Sequence, residues 1–168
     1  LALANRHDWQ APFVGELGAV LTMEQALHLV PPPRATWLRT VLAEHAGLHR
    51  RLGSLSVVPS VLAPDQVLAR RLHDARDALR ELVADLSGNR VHPMLCRLGG
   101  LSTDADPGWL DAAAELAREI APLGPLVRDA ILAADLPRGV AVIDGGLART
   151  YGVTGPAARA AGVDTDLR

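Results

Sequence analysis

The chain has 168 residues, 49% of them hydrophobic and 21% charged, with a formal net charge of -2 and an isoelectric point near 6.3. So even a balance gives no long-range pull toward nucleic acid or anionic lipid, and a single cysteine, Cys96, makes neither an internal disulfide nor a four-cysteine metal site. The length suits one domain with a sizeable core; with no leader pattern and no run of about eighteen apolar residues, a soluble, cytoplasmic chain is expected.

Pro12 to Val30 carries Phe13, Leu17, Val20, Leu21, Leu27 and Val30 close to the helical period, weakened by Gly15 and Gly18. The run Pro31 to Pro33 ends that helix. Pro33 also opens the next, whose stripe of Trp37, Leu38, Val41, Leu42, Leu48, Leu52 and Leu55 finishes near Gly53 to Ser56. Two prolines break the apolar stretch Val57 to Pro64, which reads as a packed connector rather than a strand. From Asp65 to Leu86, the positions Leu68, Leu72, Ala75, Leu79, Leu82, Val83 and Leu86 predict an amphipathic helix, stopped by Gly88.

Beyond Gly99-Gly100, Asp106 caps and Pro107 opens a helix through Trp109, Leu110, Leu116 and Ile120. Pro122 and Gly124-Pro125 kink or split it before Leu126 to Ala134. Gly139 to Ile143 is expected to form a short strand, and Asp144 to cap a brief helix through Leu147 that Gly152 closes. Together these elements predict a mainly α fold, a helical bundle with little or no β, as one domain over residues 1–168.

The chemistry concentrates between Ser87 and Leu101. A helix stop there is followed by Arg90, His92 and Arg97 in an ordered loop, and then by a double glycine that lets backbone approach closely. Such a loop can hold an anion, line a redox centre or pack against a partner, and the residues alone leave all three open. Elsewhere, His45 and His49 have the four-residue spacing of zinc ligands. Ala46 stands where a metalloprotease needs its glutamate, so zinc is not expected. Cys96 reads as a small buried hydrophobe. Glu24, Glu44 and Glu81 are expected in charge pairs at helix surfaces or ends. The large ring of Trp9 is expected to bury in the core for its area. Gly99-Gly100 lacks the preceding strand and third glycine of a dinucleotide site, and no nucleophile elbow appears.

Two stretches carry a resemblance. The loop with Arg90, His92 and Arg97-Leu-Gly-Gly-Leu101, together with Tyr151-Gly-Val-Thr-Gly-Pro and the run that follows it to Asp-Leu-Arg168, resembles the large hydrogenase-like D subunit of NADH-quinone oxidoreductase, respiratory complex I. That family carries Gly-Ala-Arg-x-His, then Arg-Pro-Gly-Gly-Val, then Tyr-Gly-x-Thr-Gly-Pro-x-Leu-Arg-Ala-Ser-Gly-Val-x-x-Asp-Leu-Arg, in this order. Pro32-Pro33-Arg34-Ala35-Thr36-Trp37-Leu38-Arg39 is similar to its Pro-x-Arg-Ala-Gln-Trp/Tyr-Ile-Arg, and Glu24 to the glutamate of its Ala-x-Glu. For the fold, the resemblance implies the helical core shared by this family and the nickel–iron hydrogenase large subunit.

For the site, it implies that His92 lies against the terminal iron–sulfur cluster held by the adjoining small subunit, where an imidazole can change charge as the cluster is reduced. Arg90 and Arg97 would shape that cluster side. Trp9 stands where the family has a tyrosine whose hydroxyl bonds the quinone head group, and would line a changed quinone side; an indole is a donor only. The implied partners are the small iron–sulfur subunit and the other complex I subunits, with NADH oxidised in another subunit. Nucleic acid is not among them, and the membrane is met only through the complex, which places the chain peripheral to the cytoplasmic membrane.

The family continues beyond Arg168, and its His-Pro-Ser-Thr-His-Gly region lies outside this chain, so a fragment or a truncated paralogue is expected. A non-catalytic scaffold or assembly relative that has lost quinone reduction is the alternative reading. A membrane-bound hydrogenase large subunit is disfavoured, because its two cysteine pairs should bracket these elements.

Overall fold

A computed structural model describes residues 1–62, 65–135 and 139–164. These divide into two compact units, Leu1–Ala134 and Asp135–Arg168. The protein is mainly α, with one two-stranded ribbon among the described residues.

In the first unit a short helix α1 (Ala2–His7) leads into α2 (Pro12–Leu27), which starts on its proline. Gly15 is what lets α1 lie against α2: a Cβ there would run into the Ala4 carbonyl oxygen. The helix α2 stops before the proline run reaches it. His28 turns left-handed at φ 54° and the Leu29 N–H closes on the Glu24 carbonyl at 2.9 Å. Leu27 and Val30, which the helical period places inward, are therefore exposed, because the buried face of α2 is Phe13, Glu16, Val20 and Glu24.

Pro33 opens α3 (Pro33–Leu55) as its spacing predicts. Leu38, Leu42 and Leu52 face inward with Arg39 among them, while Trp37, a member of the predicted apolar stripe, is 73% exposed. The proline-broken connector coils as a π-helical turn, Val58–Leu62, with Pro59 buried, and its continuation at residues 63 and 64 lies outside the described residues. In α4 (Gln66–Ser87) the Asp65 carboxylate accepts from the N–H groups of Val67 and Leu68, and Gly88 ends the helix at φ 74°.

After the loop come strands β1 (Cys96–Arg97) and β2 (Gly100–Leu101), then α5 (Pro107–Ile120) and α6 (Leu123–Ala133), split around Pro122 as expected. The indole N–H of Trp109 donates to the Leu82 carbonyl at 2.8 Å, fastening α5 to α4.

Two apolar clusters fill this unit. One joins Phe13, Val20, Leu42, Leu82, Leu95 and Trp109; the other joins Leu52, Leu72, Leu79, Ile120, Leu123 and Val127. At roughly 1.5–3 kcal/mol per fully buried large side chain, they supply the main drive for folding.

In the second unit, α7 (Gly145–Thr150) and α8 (Gly155–Ala160) close over Ala148, Ala158 and Val163. Asp144 caps α7 by accepting from the Leu147 N–H at 2.8 Å. The strand expected over Gly139 to Ile143 is not formed: Gly139 and Ala141 take positive φ of 75° and 52°, which breaks the extended run.

Candidate functional site

The site is built from the bottom by two acids that helical periodicity puts on one face of α2. Glu16 and Glu24, two turns apart with Val20 between them, are both buried. Glu16 accepts from the N–H of Met94 at 2.8 Å through Oε1 and from the N–H of Cys96 at 2.9 Å through Oε2, and Asn5 donates to it from α1. Met94 takes φ 50°, an uncommon backbone for a residue with a side chain, and the Glu16 bond helps hold it there.

Glu24 forms a buried bidentate pair with Arg39, at 2.9 and 2.7 Å, and accepts from the Gly99 N–H at 2.7 Å. Arg39 donates onward to the carbonyls of Arg97 and Gly100, each at 2.8 Å. The Arg39 guanidinium holds the Glu24 carboxyl below its usual range, more than burial raises it. One carboxylate thus fixes the start of β1 and an ion pair fixes the turn, with Gly99 at φ 80° supplying the reversal. Glu24, expected in a surface or terminal charge pair, is instead a buried anchor, because its partner is on another helix and backbone donors complete its shell.

On this frame Trp9 and Arg90 line one cleft together with Phe13, Leu42, His45 and His49. Trp9, expected in the core, is 62% exposed, since the turn between α1 and α2 carries it to the mouth of that cleft. Arg90 is ion-paired to Glu81 at 2.7 Å, both side chains more than half exposed. His92 and Arg97 do not line the cleft. His92 is half-buried on the same loop, its N–H donating to Asn89 Oδ1 at 2.8 Å and its Nδ1 buried without a partner. Arg97 curls back on its own loop, donating to the carbonyls of Met94 and Cys96 at 2.9 and 2.7 Å. Cys96 is buried, and burial together with the nearby Glu16 pushes its thiol up to about 12, so it stays protonated.

The two histidines of α3, notable in the sequence only for their spacing, do different work. His49 Nδ1 lies 3.1 Å from the Gln10 carbonyl and its Nε2 lies 3.2 Å from Arg76 Nε. An arginine can only donate, so His49 is neutral with its proton on Nδ1, and it fastens the turn that bears Trp9 to α3. His45 has a buried Nε2 with no partner, and burial with the neighbouring His49 lowers its pKa to about 4.

The interior of the cleft holds about 70 Å³, less than half of the roughly 150 Å³ that accepts a benzene ring. Its walls are mostly apolar, and His45 contributes a buried Nε2 that has no hydrogen-bond partner. Sequence reasoning missed Glu16, Arg39 and His45 as members of the site. The available signal was an acid falling in register with the apolar face of α2.

Comparison with known proteins agrees with the loop motif. Over its whole length the chain is 37% identical to the second form of the NADH-quinone oxidoreductase D subunit of Salinispora tropica and 36% identical to the first form of that subunit in Streptomyces coelicolor, covering 44% and 45% of those proteins. It is 34% identical to the first form in Opitutus terrae, over 98% of this chain and 39% of that one. The chain therefore spans less than half the length of the curated relatives it matches. The profile of the respiratory-chain NADH dehydrogenase 49 Kd subunit matches residues 68–168, the stretch that carries the His92 loop and the Thr-Gly-Pro run, and the chain belongs to that family.

Proposed function

We propose that this chain forms part of the quinone-facing cavity of an NADH-quinone oxidoreductase, where electrons pass from the terminal iron–sulfur cluster of a small partner subunit to quinone. The observation that carries this reading is the anchoring of the 90–101 loop: Glu16, Glu24 and Arg39 pin the segment bearing Arg90, His92 and Arg97 beside the turn bearing Trp9. Both halves of the site named by the resemblance thus share one frame, and Trp9 and Arg90 share one cleft.

In this reading the loop presents His92 and the two arginines to the cluster side. The imidazole of His92 is half-buried with its Nδ1 inside, which leaves Nε2 for a hydrogen bond to a neighbouring sulfur or backbone group. Trp9 and the apolar walls exclude water from the ring of the acceptor. The cluster supplies electrons one at a time, and NADH oxidation belongs to another subunit. The chain reaches the membrane through its partners, and among the described residues no helix is long and apolar enough to cross it.

A second reading, a scaffold relative that keeps the bundle and the subunit contact without quinone reduction, is favoured by one observation: an indole stands where the family has a tyrosine. Co-purification with the small cluster subunit followed by a quinone-reductase assay separates the two. The complex is expected to form and turn over, with His92→Ala lowering turnover by about tenfold through loss of one positioning hydrogen bond. A cluster-containing complex with no turnover for either protein gives the scaffold reading. No association with the small subunit at all removes both.

A further inference from the structure

We propose that His45 is the side chain that hydrogen-bonds a quinone head group in the cleft between Trp9 and Arg90, through Nε2. This rests on the reading of the cleft as quinone-facing, and it names a residue that no motif assigns.

Elimination among the titratable side chains of the cleft leaves this one. His49 has both ring nitrogens engaged, by the Gln10 carbonyl and Arg76. Arg90 is paired with Glu81 at 2.7 Å and Arg80 with Asp77 at 3.3 Å. Among the described residues lining the cleft, His45 Nε2 is the side-chain atom that is both buried and without a partner. A buried polar atom in that state is a standing cost, which a ligand removes on binding.

The chemistry of the ligand follows from the chemistry of the ring. Burial keeps His45 neutral near neutral pH. A neutral imidazole presents at Nε2 either an N–H or a lone pair, depending on which nitrogen carries the proton. It can donate to the carbonyl of a quinone and accept from the hydroxyl of the reduced form. Trp9 can only donate, so it cannot accept the hydroxyl proton of the reduced form. Phe13, Leu42, Ala46, Leu79 and Leu95 line the same cleft as His45, an apolar surface that suits a ring edge.

The test is nitrogen NMR of the full chain carrying labelled histidine, titrated with a water-soluble methoxy-substituted benzoquinone. The His45 Nε2 resonance is expected to move on titration. His45→Leu is expected to weaken binding by about tenfold, and His45→Gln, whose amide nitrogen lies near the Nε2 position, to keep most of the affinity. An unchanged His49 resonance in the variants reports that the cleft is still folded. Binding with the His45 resonance unmoved, or with equal affinity in His45→Leu, overturns the assignment of His45 and leaves the quinone reading intact. No binding of the probe by a chain that still co-purifies with the small subunit overturns both.

Discussion

At the scale of single residues, the imidazoles of α3 show how burial sorts chemically identical side chains. His45 is pushed down to about 4, chiefly by desolvation, and His49 is lowered for the same first reason, with the Gln10 carbonyl working the other way. Because the folded value lies below the unfolded value of 6.5, the unfolded chain binds the proton first. The stabilising difference is complete above about pH 6.5 and is lost as pH falls toward 4, by as much as about 3 kcal/mol. Urea midpoints measured across that window should fall steeply for the wild-type chain. His45→Leu should flatten most of the slope and leave the smaller share of His49. This behaviour was not legible beforehand, since four-residue spacing says only that two rings share a helix face, and burial is decided by what packs against them. Trp9 makes the same point in reverse: its size argued for the core, and a turn carried it to the mouth of the cleft.

At the scale of elements, α2 carries the geometry of the site. Its two buried acids hold both ends of the 94–100 segment, and the exposed apolar residues Leu27 and Val30 show that hydrophobicity alone misassigned its inner face. Glu24→Gln would leave Arg39 buried beside a neutral amide, a change expected to cost about 3–5 kcal/mol. The folded pKa of Glu24 lies below 4.5, so its contribution is present above the unfolded carboxylate value and disappears as pH falls through the folded one. Glu24→Gln should therefore lower the urea midpoint at neutral pH, narrow the gap to wild type at acid pH, and speed amide exchange at Gly99. The boundaries that punctuation controls were readable, including Pro33, Asp65 with Gly88, Asp106 with Pro107, and the break at Pro122. Each acts within its own few residues. The Glu16 contacts join residues 78 and 80 positions apart, and no local pattern encodes such a distance.

For the whole molecule, the two large apolar clusters lie entirely within Leu1–Ala134, while the second unit gathers its buried apolar residues around Ala148, Ala158 and Val163. A chain ending at Ala134 should keep a helical spectrum and a cooperative urea transition, and the piece beginning at Asp135 should be unfolded alone, since a core so small falls short of the entropy it must offset. Circular dichroism of the two pieces checks this. The mainly helical class was legible from periodicity, and the loop motif pointed to the family before any coordinates.

At position 15 the seam between the first two helices is specified by a missing methyl, so the approach of Asn5 to Glu16, and with it the seat of the loop, is guarded by empty space. Hydropathy scales score what a side chain contributes. Here the information is carried by subtraction, and a count of bulk and polarity passes over it.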